Sequence, residues 1–67
     1  MQQWEYCYVT TDDRQTAMIC YYRTTGIEVE KVEDPSGSLA AQGKAIAKLG
    51  EEGWEMVDTI TFKRPKP

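Results

Sequence analysis

The chain has 67 residues, a formal charge of −3, no histidine and no Cys-x-x-Cys, so it forms at most one domain, and no zinc site is expected from standard ligands. Its acidic balance has the wrong sign for gripping duplex phosphates, and no apolar run approaches the roughly 20 residues of a membrane span. Hydrophobic residues make up 40%, with two Trp, four Tyr and one Phe, which argues for a folded core rather than disorder.

The first element is "WEYCYVT", whose period of two and aromatic content read as a strand. Trp4, Tyr6 and Tyr8 point one way and Glu5, Cys7 and Val9 the other. "TTDDRQ" makes a turn through Asp12 and Asp13. "TAMICYYR" forms a second strand, with Ala17, Ile19 and Tyr21 on one face and Met18, Cys20 and Tyr22 on the other. After "TTG", the run "IEVEKVE" alternates Ile27 and Val29 against Glu28 and Glu30, a strand with one solvated face. Its acidic run of Glu28, Glu30, Glu33 and Asp34 is read as a charged face that protects the sheet edge.

"DPSGS" is a loop, and Ser36 or Ser38 is placed to cap the helix that follows. From Leu39 the period becomes 3.6, with Leu39, Ile46 and Leu49 in one stripe and Lys44, Lys48 and Glu51 opposite. Gly43 and Gly50 fall on the apolar side, where they are expected to allow close packing. In "LGEEGWEMV" the glycine at 53 falls just past the helical pattern and is expected to close the last turn with a positive φ. The period then returns to two, with Trp54, Met56, Ile60 and Phe62 inward and a bend or bulge near Asp58. "KRPKP" is expected to fray over residues 63–67.

These elements predict one α+β domain over residues 1–67, a two-layer fold in the order β-β-β-α-β. An antiparallel sheet of three to four strands carries one helix on one face. The expected core is Trp4, Tyr6, Ile19, Tyr21, Leu39, Ile46, Leu49, Trp54, Met56, Ile60 and Phe62.

Three short patterns resemble a family of short, mainly bacterial and phage proteins called domain of unknown function 4177. They are Trp4-Glu5-Tyr6, the joint from Leu49 to Val57, and Phe62-Lys63-Arg64-Pro65. The resemblance covers both ends and the helix, but not residues 11 to 37. It implies a small α+β fold and no activity.

The chemistry visible in the chain is sparse. Glu51 and Glu52 diverge by about 100° around a helix axis, so they do not converge on one substrate. Cys7 and Cys20 have no histidine to activate them and read as small hydrophobes in strands. No catalytic residue, metal or cofactor is expected. A helix start with free N–H groups can hold an anion, which makes Arg14, Arg23, Ser36 and Ser38 candidate ligand-binding residues. The set Cys7, Val9, Met18, Cys20, Tyr22 and Val57 points away from the expected core and forms a candidate interface.

A domain this short buries only about 60% of its unfolded surface and gains from association. Two classes of function follow. One is a non-enzymatic homo-oligomeric interaction or accessory module, with a second copy, or another protein, as partner. The alternative is a protein that binds or sequesters a small ligand, anionic or a nucleotide, in pockets between subunits. Neither a nucleic acid duplex nor a membrane is an expected partner. The opening "MQQWEYCYV" lacks the basic segment and apolar run of a secretory signal, so a cytoplasmic location with both thiols reduced is expected.

Overall fold

A computed structural model describes residues 1–12 and 15–66. The elements are β1 (Trp4–Thr11), β2 (Thr16–Arg23), β3 (Gly26–Glu33), α1 (Ser38–Glu51), β4 (Glu55–Met56) and β5 (Thr61–Pro65). They form one antiparallel sheet in the order β3-β2-β1-β5-β4, with α1 packed across β1, β2 and β3. The expected α+β architecture is present, with one strand more than the upper expectation. The extra strand arises at Asp58, whose Oδ1 accepts from the N–H of Ile60 at 2.9 Å and of Thr61 at 2.8 Å. That side chain turns the chain back on itself, so the single expected last strand becomes a β4–β5 hairpin.

The face of β1 that meets the helix is the reverse of the one expected. Cys7 and Val9 are 0% and 1% exposed beneath α1, while Trp4 and Tyr6 lie on the opposite side. The helix explains the choice. Its buried stripe is Ala41, Ala45 and Leu49, spaced four apart on one face. Two alanines bring the helix backbone close to the sheet, and only small side chains fit below them. Cys7, Val9, Ala17 and Ile19 do so, joined by Tyr21, Val32, Trp54 and Phe62 in one cluster. Tyrosine rings on β1 would hold the helix away.

Other core expectations are corrected on the same ground. Leu39 is 80% exposed, because it lies outside the alanine stripe. Met56 and Ile60 are exposed, since the hairpin carries them beyond the helix. Gly43 and Gly50 face solvent, and a Cβ at either would meet nothing within 4 Å, so close packing does not explain them. Of the residues expected to fray, 63–66 are held in place, and Pro67 lies outside the described residues. Trp4 pairs with Pro65, Glu5 with Arg64 and Tyr6 with Lys63, and Lys66 N–H donates to Gln3 O at 2.9 Å.

The joint at Gly53 behaves as its sequence suggests. Gly53 has φ +89. Trp54 N–H reaches back to Leu49 O at 2.9 Å and Gly53 N–H to Gly50 O at 3.2 Å. This pair of bonds is the Schellman closure, and the buried Trp54 and Leu49 supply the hydrophobic contact that accompanies it. At the other end, the residue preceding the helix is Gly37, with no side-chain cap. Ser36 and Ser38 therefore do not cap α1.

Candidate interaction face

The helix covers one side of the sheet, and register fixes what the other side carries. Cys7 pairs with Tyr21 and Tyr8 with Cys20 across β1 and β2. Cys20 pairs with Val29, and Tyr22 with Ile27, across β2 and β3. Paired residues share a face, and alternate residues along a strand share it too. Since Cys7 and Tyr21 lie under the helix, the open face presents Trp4, Tyr6 and Tyr8 of β1, and Met18, Cys20 and Tyr22 of β2. Ile27 and Val29 extend it along β3. Val57, whose N–H bonds Thr61 O at 2.8 Å, adds to the β5 side.

Four of the six expected interface residues, Met18, Cys20, Tyr22 and Val57, lie on this open side. Cys7 and Val9 do not; they are buried under the helix, which corrects their assignment. The periodicity missed Trp4, Tyr6, Tyr8, Ile27 and Val29. Tyr22, Ile27, Val29 and Val57 are each at least half exposed. The Tyr8 and Tyr22 rings stand 5.5 Å apart and tilted, within the range of favourable aromatic pairs. Cys20, hydrogen-bonded beside it, pushes the Tyr8 phenol above its ordinary range. Lys63 Nζ lies 4.4 Å from the centre of the Trp4 ring, a cation–π contact.

Within the strands, this face carries four charged residues, three of them on the edge strands and Lys63 on β5 just inside. Lys31 and Glu33 lie on edge strand β3, and Glu55 on edge strand β4 pairs with Lys63 of β5. Two positive and two negative groups leave the face neutral, although the whole chain is acidic.

The helix side carries a second cluster, built on Glu5. Its carboxylate accepts from Arg64 Nε at 2.6 Å and Arg23 Nη1 at 3.1 Å. Arg64 also donates to Glu52 O, at the end of the helix, at 3.0 Å, and its guanidinium stacks 4.5 Å from the Trp54 ring. Arg23 reaches Glu28 at 3.4 Å and lies 5.1 Å from the Tyr21 ring. The hydrogen bond from Arg64 holds the Glu5 carboxyl below its ordinary value. Tyr21 O–H donates to Glu30 at 2.9 Å, and burial pushes that phenol up to about 12. Lys48 bridges Glu30 and Glu52, at 2.9 Å each. These contacts tie β1, β2, β5 and α1 together by compensated charge.

Of the expected ligand-binding residues, Arg23 and Ser36 are engaged by carboxylates of the chain. Arg23 is engaged by Glu5 and Glu28. Ser36 N–H is held by Asp34 Oδ1 at 2.8 Å, and Lys44 faces the same carboxyl at 3.3 Å, so a native carboxylate already occupies this turn before the helix. Arg14 lies outside the described residues. The two cysteines sit on opposite faces of the sheet, which separates them as a redox pair. Burial raises the Cys7 thiol to about 11, so it stays protonated at neutral pH and is a poor nucleophile. Among the described residues no group of three His, Cys, Asp or Glu is arranged to hold a metal ion, and no helix is long and apolar enough to cross a membrane.

The chain matches no protein-family model, no curated protein and no solved structure.

Proposed function

We propose that this chain is a non-enzymatic interaction module that works as a homodimer, with a second copy covering the open sheet face. The observation that carries the reading is the concentration of Trp4, Tyr6, Tyr22, Ile27, Val29 and Val57 on one exposed surface. Three strands of eight residues, each about 27 Å long and spaced about 4.8 Å, together with the shorter β5, span a face of roughly 500 Å² in projection. Apolar patches on monomers rarely exceed a few hundred Å² and usually mark an interaction site. With its rim, this face approaches the roughly 800 Å² per partner of a standard interface. Its composition is that of an interface core, aromatic-rich with three of its four charges on the edge strands.

A second copy is the occupant that the charges favour. A neutral face with both signs at its margins is compatible with itself, whereas a nucleic acid would need a basic surface. Two-fold pairing is also the commonest closed assembly. We place the protein in a reducing cytoplasm, where Cys7 and Cys20 remain thiols.

The second reading, a small-ligand binder with pockets between subunits, draws less support because Arg23 and the turn before the helix are already neutralised. Native mass spectrometry of freshly purified protein separates the readings. A dimer mass with nothing added supports the module. A dimer retaining a small anion supports the binder. A chain-mass species alone at micromolar concentration overturns both.

A further inference from the structure

We propose that the two copies cross steeply, with their sheets packed face to face and Lys31 of each protomer against Glu55 of the partner subunit. This rests on the dimer reading above and specifies its geometry.

The open face is skewed. Strands β1, β2 and β3 run beyond β5 at one end, where Thr10 pairs with Met18 and Met18 with Lys31, whereas β5 pairs no further than Tyr8. At the other end, β1 and β5 run on, with Trp4 paired to Pro65. Lys31 and Glu55 therefore occupy diagonally opposed regions of the face. On strand spacings of about 4.8 Å and residue rises of about 3.4 Å, they stand roughly 20–25 Å apart. Both side chains are exposed.

A face-to-face homodimer has its two-fold axis in the plane between the sheets, and packed sheets prefer either near alignment or near-orthogonal crossing. Alignment offers two directions for the axis. An axis along the strands lays β3 over β4 at the same height. Glu55 then meets Ile27 of the partner subunit, because Ile27, Tyr22, Tyr6, Lys63 and Glu55 form one row across the sheet. An axis perpendicular to the strands lays β3 over β3 and β4 over β4, so Lys31 and Glu55 never meet. Both aligned arrangements lay a charge over apolar neighbours of the partner and leave it only the counter-charge of its own chain, Lys63 beside Glu55 and Glu33 beside Lys31, so neither gains a pair across the interface.

A diagonal axis behaves differently. It exchanges the opposed regions, so Lys31 meets Glu55 of the partner subunit, and symmetry makes the pair twice. The centre of the face, Tyr8, Cys20 and Tyr22, then meets its own copy. On the same spacings the strands cross at roughly 70°, closer to the orthogonal than to the aligned packing. Marginal charges of this kind set register and partner orientation more than affinity.

The test is a charge-swap cycle on the dissociation constant, measured by sedimentation at low salt. Lys31→Glu and Glu55→Lys should each weaken the dimer about tenfold, because each turns two attractive pairs into repulsive ones. The double variant should return to within about threefold of wild type, because the pairs are restored with signs reversed. If the single effects multiply in the double variant, or if neither single substitution weakens the dimer, the crossed geometry is wrong while the dimer itself stands. A wild-type chain that sediments as a monomer removes the dimer reading and the geometry together.

Discussion

Replacing Glu5 with Gln tests whether charge fixes the register of β1. The substitution keeps shape and volume but leaves the Arg23 and Arg64 guanidiniums facing one neutral oxygen and one amide donor. Removing one partner of a fully buried ion pair costs about 3–5 kcal/mol. Here the Glu5 side chain is 10% exposed, but both arginines are about one-third exposed and recover some hydration. The expected loss is therefore smaller, about 2–3 kcal/mol, set against about 3–10 kcal/mol for a domain of this size. That corresponds to a fall of roughly 10–20 °C in Tm. Urea unfolding at one fixed protein concentration is the assay, because association also shifts the midpoint. The pH dependence adds a second readout. The folded-state pKa of Glu5 lies below its unfolded value of about 4.3. Its stabilisation is thus present above that value and lost as pH falls through the depressed folded value. Glu30, lowered by Lys48, and Asp34 and Asp58, lowered by backbone N–H groups, act with the same sign. The variant should be less stable at neutral pH and should lose less on acidification than wild type. A Glu5→Gln protein within about 0.5 kcal/mol of wild type at neutral pH, or with an unchanged acid limb, would refute the role given to this carboxylate.

Gly53→Val should destabilise the fold by about 1–2 kcal/mol in urea titration, with Gly53→Asn milder. A Cβ there meets nothing within 4 Å, so the cost is that of φ +89 on a residue with a side chain; a Val variant as stable as wild type would contradict this. Gly43→Ala should stabilise by about 0.5–1 kcal/mol, because an exposed mid-helix glycine with free space around it forfeits helix propensity and gains no packing. A loss of stability at Gly43→Ala would show that the outer helix face is packed against something in solution.

The order of elements was legible because the period changes from two to 3.6 and back, and because Gly53 marks the joint. Ile19, Tyr21, Leu49, Trp54 and Phe62 were correctly placed inside by that periodicity. The orientation of β1 was not legible, because both of its faces are apolar: Trp4, Tyr6 and Tyr8 form a more hydrophobic set than Glu5, Cys7 and Val9. The missing signal was in the helix, where Ala41 and Ala45 form the closest-packing stripe and admit only small partners. Glu5 misled in the same way. A carboxylate reads as outward-facing until its two arginines, 18 and 59 residues away in sequence, are known to meet it. The hairpin at Asp58 was visible as an interruption but not as a reversal, since one aspartate in a strand pattern fits a bulge equally well. The open face follows from these corrections. Once β1 is reversed, the aromatic residues assigned to the core become the surface for which a partner is proposed.

The central claim is that a second copy covers this face. Sedimentation equilibrium of wild type and Tyr22→Asp at micromolar concentration tests it most directly. Tyr22 is 50% exposed near the middle of the face, so aspartate costs the isolated fold only the contact with the Tyr8 ring but places an unpaired charge in the interface. The account predicts twice the chain mass for wild type and a folded chain-mass species for Tyr22→Asp. A wild-type protein at the mass of one chain, or a Tyr22→Asp dimer as tight as wild type, would contradict it.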